Sequence, residues 1–333
     1  MKTLRIVNAD GTITEIHGYD AMGRDVHIDG PMSDLVVNYR PEGSIVDRIF
    51  PIVPVGKQSD LYYEFAQADI LRVPDTTRAP LTAAKRVGFA VSSQTYFAKN
   101  YALATGIAIE DQVNADAALR LRESKSKFLT DLLTLDWELR VAQLVINSSN
   151  VGSVSTISSL WRDHTNADPT VDIDAAIERV RNASGYRPNR MVLGWEAFRH
   201  LKRNANVRAL LFPAPGGTTP AAGIIRTEQV SNIFDFEQTL VGGMMRNTAA
   251  QNLPLALAEI WGPHVLLYYA PGAPSIDVPA YGYTFRWTRP GLPNMTVEEW
   301  YDQRVKGTML DVGMYQDEKI VAKRFATVIA SVV

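Results

Sequence analysis

One long amphipathic stretch near the middle of the chain constrains the fold more than any other feature. Residues 117–147 contain neither Gly nor Pro. The regular spacing of its apolar side chains predicts a single α-helix. At 1.5 Å per residue this helix is about 45 Å long. Such a helix is long for one small core, so we expect it to form a spine along the molecule. The apolar side chains that recur mostly at three- and four-residue steps are Leu121, Phe128, Leu129, Leu132, Leu135, Leu139, Ala142 and Ile146.

The segment before this helix, residues 51–105, is strand-like and rich in aromatic residues. Two runs of β-forming residues flank a polar, proline-containing stretch at 72–80, which predicts two long strands joined by a loop. A hairpin of this kind has no core of its own and needs a neighbour. That neighbour is either the chain's own helix or another subunit; we favour the subunit, because Tyr, Phe and Arg are enriched in interfaces. The candidate intersubunit contacts are Tyr62, Tyr63, Phe65, Arg78 and Phe89.

The first 50 residues differ in composition from the rest of the chain. They hold five basic and eight acidic residues, and frequent Gly and Pro divide them into short pieces. Asp10-Gly11 between apolar runs predicts a small hairpin. We expect residues 1–50 to form an extended arm. Residues 1–45 are expected to become ordered only by docking on adjacent subunits, because their few large apolar side chains bury too little surface to offset the entropy of ordering.

The part of the chain after the spine predicts an α/β domain at residues 171–270. A helical stripe at 173–180 is followed by a buried strand at 191–193, and helices are expected at 195–204 and 227–234. Further strands are expected at 239–241, 255–261 and 264–269, and residues 271–333 return to strand character.

Composition and motifs argue against an enzyme and against a protein that binds nucleic acid mainly through its phosphates. The chain has no Cys, which excludes disulfides and Cys-ligated metals. Its 34 basic and 36 acidic residues give a formal net charge of -2, whereas nucleic-acid-binding domains are usually basic. Phosphate-cradle and nucleophile motifs are missing, and the five His are scattered. We therefore expect no catalytic residue, cofactor or metal site, and no membrane span.

Several segments, in order, resemble the major capsid proteins of tailed bacteriophages. They are Phe50-Pro-Ile-Val-Pro-Val-Gly56, Arg78-Ala-Pro80 with Lys85-Arg-Val-Gly-Phe89, Tyr101-Ala-Leu-Ala104 with Asn114-Ala-Asp116, Leu240-Val-Gly-Gly243 with Asn247-Thr-Ala249, and Tyr283-Thr-Phe-Arg-Trp287. The resemblance covers most of residues 45–290, while the first 45 residues match no pattern of the family.

The resemblance implies an α+β fold of the Hong Kong 97 type. Its parts are an N-terminal arm (1–50), an extended β-hairpin loop (51–105), a peripheral domain with the spine helix (106–170), an axial α/β domain (171–270) and terminal strands of the peripheral domain (271–333). It also implies a chain that assembles with itself, as hexamers and pentamers, into an icosahedral head shell around double-stranded DNA. A portal, and scaffold or cement proteins in some members, would be further partners. The shell would be part of the virion and would assemble in the bacterial host cytoplasm.

The resemblance leaves two other functions open. Encapsulin-like compartment shells are similar in fold, so the fold alone does not decide the function. An α/β enzyme with an unrecognised site in residues 171–270 is the alternative from a different class. Some capsid proteins of the family form a Lys–Asn cross-link; Lys57, Lys85 and Asn294 supply such residues here, but no motif places a Glu beside them, and we expect no cross-link.

A basic run at the start of the predicted spine helix has two interpretations. Arg120, Arg122, Lys125 and Lys127 are opposed only by Glu123. The run is either a solvated helix face or a face turned toward a polyanion. In a capsid the second interpretation places these four residues toward the lumen, in weak, salt-sensitive contact with the packaged DNA.

Overall fold

The computed structural model describes ten ranges of the chain: residues 4–7, 13–16, 27–65, 71–88, 91–114, 120–157, 159–212, 223–273, 280–289 and 295–333. The α-helices are α1 (Gly30–Asn38), α2 (Val46–Ile49), α3 (Ile109–Asn114), α4 (Leu121–Ile146), α5 (Pro169–Ser184), α6 (Trp195–Leu201), α7 (Ala205–Leu211) and α8 (Thr227–Phe234).

The strands form two large sheets and several two-stranded ones. They are β1 (Leu4–Val7), β2 (Ile13–Ile16), β3 (His27–Ile28), β4 (Ile52–Val55), β5 (Ser59–Phe65), β6 (Val91–Phe97), β7 (Lys99–Ala108), β8 (Ser153–Ser155), β9 (Arg190–Gly194), β10 (Gln238–Gly242), β11 (Met245–Asn247), β12 (Leu257–Glu259), β13 (Val265–Tyr268), β14 (Gly282–Trp287), β15 (Thr296–Asp302), β16 (Gly307–Ile320) and β17 (Ala326–Ile329).

The spine helix is α4, and it packs on a sheet built around the 14-residue strand β16. That sheet has the order β3-β15-β16-β14-β4, and β7 pairs along the other edge of β16 from residue 307 to 316. Burial alternates along much of β16, as expected for a strand with one face on a core. The buried residues between helix and sheet include Leu129, Leu133, Leu310 and Val312. The predicted helix is thus confirmed at Leu121–Ile146; residues 117–119 lie outside the described ranges.

A five-stranded mixed sheet, in the order β10-β9-β13-β17-β8, forms the second body of the molecule. Helix α5 covers it, beginning after Asp168, which accepts a hydrogen bond from the Thr170 backbone. The helix ends at Gly185, whose φ of 76° lies in the left-handed region that Gly adopts without strain. Helix α8 has the predicted bounds. The helix predicted at 195–204 ends at Leu201, and α7, which the sequence did not predict, follows it.

The last strand belongs to a different sheet from the one that the sequence suggested. We placed residues 271–333 together as terminal strands of the peripheral domain, but β17 lies between β13 and β8 in the five-stranded sheet. All four residues of β17 are buried. A strand without a solvent-facing side needs a central position with both faces covered, and the helix-flanked sheet supplies it.

The hairpin is shorter than the range 51–105. Among the strands that the structure describes, β5 and β6 form it, because β4 pairs in parallel with β14 and β7 pairs with β16. The strand-like ends of the range therefore anchor the hairpin in the six-stranded sheet. Alternating polarity in sequence does not distinguish a hairpin strand from its continuation into a sheet.

The arm is also shorter than the range 1–50. The predicted small hairpin is confirmed by the pairing of β1 with β2, with its turn residues Asp10 and Gly11 outside the described ranges. From residue 27 onward the chain is part of the subunit's own core: β3 pairs with β15, and Val36 of α1 is fully buried. Val36 lies in the apolar run Leu35-Val36-Val37, which is too short to show whether it packs within the subunit or on a neighbour.

Candidate functional site

The root of the hairpin is fastened to the subunit's own sheet by aromatic contacts. Tyr96 is buried and stacks on Phe285 of β14, with 4.7 Å between ring centroids. Tyr62 lies across from it, 5.2 Å from the same ring. The Tyr96 hydroxyl donates to the carbonyl of Lys57 over 3.2 Å. This cluster fixes the direction in which the hairpin leaves the sheet.

The predicted intersubunit contacts fall into different environments. Tyr62 is half-buried against Phe285 of β14, so its neighbour lies within the subunit, but in the sheet and not in the helix that the sequence offered as the alternative. Tyr63 is 54% exposed, as expected from strand alternation. Arg78 is exposed and its Nε donates to the Thr82 carbonyl over 2.6 Å. Phe65 lies in β5 opposite Val91, but its side chain, like all of Phe89, lies outside the described part of the chain.

The outward face of the hairpin and the loop at residues 71–88 together present exposed apolar side chains. Leu61 and Phe97 are each about half exposed, like Tyr63. In the loop, Leu81 is fully exposed, among four basic residues and one acidic residue. Leu71 lies against the end of α5, where a Cβ at Gly185 would come within 2.8 Å of its Cδ1. Exposed apolar side chains that share one face of a hairpin, as Leu61, Tyr63 and Phe97 do, are typical of an interface.

The basic run at the start of the spine helix is compensated within the subunit. Arg120 forms an ion pair with Glu123 at 3.3 Å, and Lys125 donates to the Gly106 carbonyl. Lys127 lies over the ring of Tyr39, 5.8 Å from its centroid. Arg122 pairs with Asp29 at 3.0 Å and also with Glu299, so it joins the helix to β15. These partners favour a structural role for Arg122, and they reduce the charge that the run offers to a polyanion.

Sequence reasoning missed a buried carboxylate at the meeting point of three segments. Glu138 of the spine helix is 0% exposed. It accepts hydrogen bonds from Ser44 Oγ at 2.7 Å, from the backbone N–H of Ile45 at 3.1 Å and from Trp261 Nε1 at 2.8 Å. Burial raises the pKa of the Glu138 carboxyl, while these donors lower it. The partners are 93 to 123 residues away in sequence, so no local pattern reveals them.

A second polar network docks the spine helix on the six-stranded sheet. Arg140 Nη1 pairs with both Glu318 carboxylate oxygens, at 2.9 and 2.7 Å, and its guanidinium lies 3.6 Å from the centroid of the Tyr101 ring. Gln316 donates to Glu318 and accepts from Arg286, each at 2.8 Å. The two networks set the helix rigidly against both bodies of the molecule, because breaking either exposes buried charge to an apolar surround.

Neither a metal site nor a membrane span is evident in the ranges that the structure describes. No three His, Asp or Glu side chains gather there as metal ligands would. No helix within these ranges is long and apolar enough to cross a bilayer.

Comparison with curated proteins finds relatives that are phage capsid proteins. The chain is 26% identical over 265 residues to the major capsid protein of Pseudomonas phage JBD67, covering 78% of this chain and 83% of that protein. It is 24% identical over 291 residues to the major capsid protein of Burkholderia phage BcepMu, covering 84% of this chain and 90% of that protein. No family model matches the chain.

Solved structures share the fold. A phage-related protein from Bordetella bronchiseptica RB50 aligns with a TM-score of 0.69 at 21% identity, over 92% of this chain and 97% of that one. The capsid structure of the cyanophage P-SCSP1u aligns with a TM-score of 0.56 at 11% identity, over 88% and 89% of the two chains. The fold is thus the α+β capsid fold of the Hong Kong 97 type, and the relatives are structural proteins, not enzymes. Over most of its length the chain is similar in sequence to the major capsid proteins of two phages, and in fold to a phage capsid.

Proposed function

We propose that copies of this chain assemble as hexamers and pentamers into an icosahedral head shell around double-stranded DNA. The six-stranded sheet with the spine helix would form the peripheral domain, and the five-stranded sheet the axial domain around each symmetry axis. Self-association in a virion capsid is supported by the similarity to two phage major capsid proteins. The portal and scaffold partners, the enclosed DNA and assembly in the host cytoplasm are part of the proposal.

The observation that carries the proposal is the hairpin with its exposed apolar face. Its root is fixed by Tyr96 and Phe285, so the ribbon projects in a defined direction. Leu61, Tyr63 and Phe97 then lie on the surface, each 51–54% exposed. A rigid ribbon with aromatic anchors loses little conformational entropy on docking, and such anchors dominate interface energies. We assign this face to the contact with a neighbouring subunit.

Contact with packaged DNA would be weak and distributed. The net charge is -2, and Arg120, Arg122 and Lys125 have partners within the subunit. Because few cationic side chains remain to contact phosphates, few counterions are released from the DNA on binding. The affinity for DNA should therefore fall only gently as the salt concentration rises. Retention of the genome then depends on the closed shell and not on tight binding by each subunit.

The double variant Leu61→Ser/Tyr63→Ser tests the hairpin contact. It should yield folded, soluble subunits that close few or no shells, because two anchors on the outward face are lost. Val171→Ser is the matched control, since Val171 is a similarly exposed apolar residue on α5; it should close shells normally. Negative-stain microscopy and sedimentation measure the shell yield. Wild-type yield from the double variant would contradict the assignment.

A further inference from the structure

A cleft of about 400 Å³ lies where the spine helix ends against the turn after β12. Its polar lining comes from Gln143 and Asn147 on the helix side and from Glu259 and His264 on the other, with Trp261 between them. The proposed contact between subunits uses none of these side chains. Within the subunit, Trp261 donates a hydrogen bond to Glu138. The cleft is therefore a separate feature that needs its own explanation.

The walls of the cleft are rigid. The Trp261 ring is held by its hydrogen bond to Glu138 and packs on Gly242, where an added Cβ would lie 2.0 Å from Trp261 Cδ1. Gly262 has a φ of 56°, and its carbonyl would lie 1.7 Å from a Cβ added at Gly194. Gly194 is required by this close approach of two backbones, and Gly262 by its left-handed conformation. The cleft is thus preformed, as small-molecule sites usually are.

The cleft carries an acceptor that the subunit does not satisfy. Oε2 of Glu259 is buried and has no hydrogen-bond partner within the described residues. Burial raises the pKa of the Glu259 carboxyl. The backbone N–H of Glu196, which donates to it, lowers this pKa; the Glu196 charge raises it, and Arg199 lowers it from a distance. Arg199 instead contacts Trp195 and the ring of His200. A buried carboxylate oxygen without a donor is costly, so a ligand that donates would be bound favourably.

Two further features favour a cation in the cleft. The 26-residue spine helix ends there, with no basic residue in its last turn, so the partial negative charge of the helix C-terminus is not offset. Burial lowers the pKa of His264, and its Nδ1 accepts from the Ser331 backbone over 3.2 Å. A neutral imidazole adds no positive charge to the cleft.

We propose that this cleft binds an organic cation, an alkylammonium or guanidinium group, with Glu259 as its counter-ion. A volume of about 400 Å³ with a single carboxylate suits an organic group better than a metal ion, which takes several oxygen ligands at 2.0–2.6 Å. The cation comes either from a free polyamine or from a Lys or Arg side chain of a neighbouring copy. Binding by the isolated subunit does not depend on the assembly proposed above.

Calorimetric titration with 1,4-diaminobutane tests this proposal on purified full-length protein, both as dissociated subunits and as shells. Wild-type subunits should bind about one diamine each. Glu259→Gln should weaken binding at least about tenfold, because it removes one charge-assisted contact. Glu178→Gln, which neutralises an exposed acidic residue on α5, should bind like the wild type. The neutral 1,4-butanediol should not bind, and thermal melting confirms that each variant is folded.

The two sources of the cation give different results. Diamine binding that persists in shells identifies a free polyamine, whereas binding by subunits that is lost on assembly identifies a basic side chain of a neighbouring copy. The proposal is overturned if wild-type subunits bind no diamine. Equal binding by folded Glu259→Gln and wild type would also overturn it, since the diamine would then associate with acidic surface in general.

Discussion

At the scale of the residue, Glu138 shows how one carboxylate can hold distant segments together. Its three donors come from the loop before α2 and from the turn after β12. A buried carboxylate is tolerated only when hydrogen bonds replace its hydration. Removing the carboxylate leaves those donors unpaired, so each loses its partner in a site that water does not reach.

Glu138→Ala should therefore lower the free energy of unfolding by about 3 kcal/mol or more, since each donor that it leaves unpaired costs about 1–3 kcal/mol. Trp261→Phe, which removes one donor and keeps most of the ring packing, should cost about 1–3 kcal/mol. Glu178→Ala, at an exposed site, should change stability by less than about 0.5 kcal/mol. Urea unfolding of the dissociated subunit measures all three. A Glu138→Ala variant as stable as Glu178→Ala would show that the junction does not hold the segments.

A pair of histidines makes stability depend on pH. His164 Nε2 lies 3.0 Å from His200 Nδ1, so one proton is shared between two rings that cannot both be charged without repulsion. Burial, with the charges of Arg199 and His164, lowers the pKa of His200. The pKa of His200 in the folded protein is below the unfolded value of about 6.5. Its contribution to the free energy of unfolding is therefore complete above the unfolded pKa, and it is lost as the pH falls through the folded pKa.

His200→Gln should accordingly flatten the pH dependence of unfolding between pH 7.5 and 5.5. The difference between wild type and variant isolates this histidine from Glu138 and Glu318, whose raised pKa values act in the opposite direction. Urea titrations at the two pH values give the slopes. Parallel slopes for wild type and variant would mean that His200 takes up no extra proton on unfolding.

At the scale of the element, the N-terminal segment divides into two parts with different roles. Strands β1 and β2 form a two-stranded sheet of their own. Helix α1 is part of the core: Val36 is fully buried, and Ser33 Oγ accepts from the backbone of Val297. Asp29, just before α1, holds Arg122 of the spine helix.

Two deletions separate these parts. Removing residues 2–26 should leave the melting temperature of the subunit unchanged but reduce the shell yield, since β1 and β2 would gain partners on neighbouring subunits. Removing residues 2–40 should also lower the stability of the subunit, by about 3 kcal/mol or more, because it opens the site of Val36. Thermal melting of dissociated subunits gives the comparison. Equal melting temperatures for the two deletions would contradict the division.

At the scale of the whole molecule, local patterns predicted elements better than their partners. The segments that form the spine helix and α8 were recognised as helices from their sequence alone, and both fold as helices. The assignment of β17 to the five-stranded sheet, and of β4 and β7 to the six-stranded sheet, depends on pairings between distant segments that a single sequence does not encode locally. Glu138 and the cleft at Glu259 were missed for the same reason: each is assembled from segments more than 90 residues apart.

The central claim is that this subunit closes shells by laying its hairpin on a neighbour. Cryo-electron microscopy of the expressed full-length protein tests it most directly. We expect closed icosahedral particles in which β5 and β6 cross a subunit boundary, with Leu61 and Tyr63 buried against the adjacent copy. Small open oligomers, or shells in which the face bearing Tyr63 remains in solvent, would contradict it.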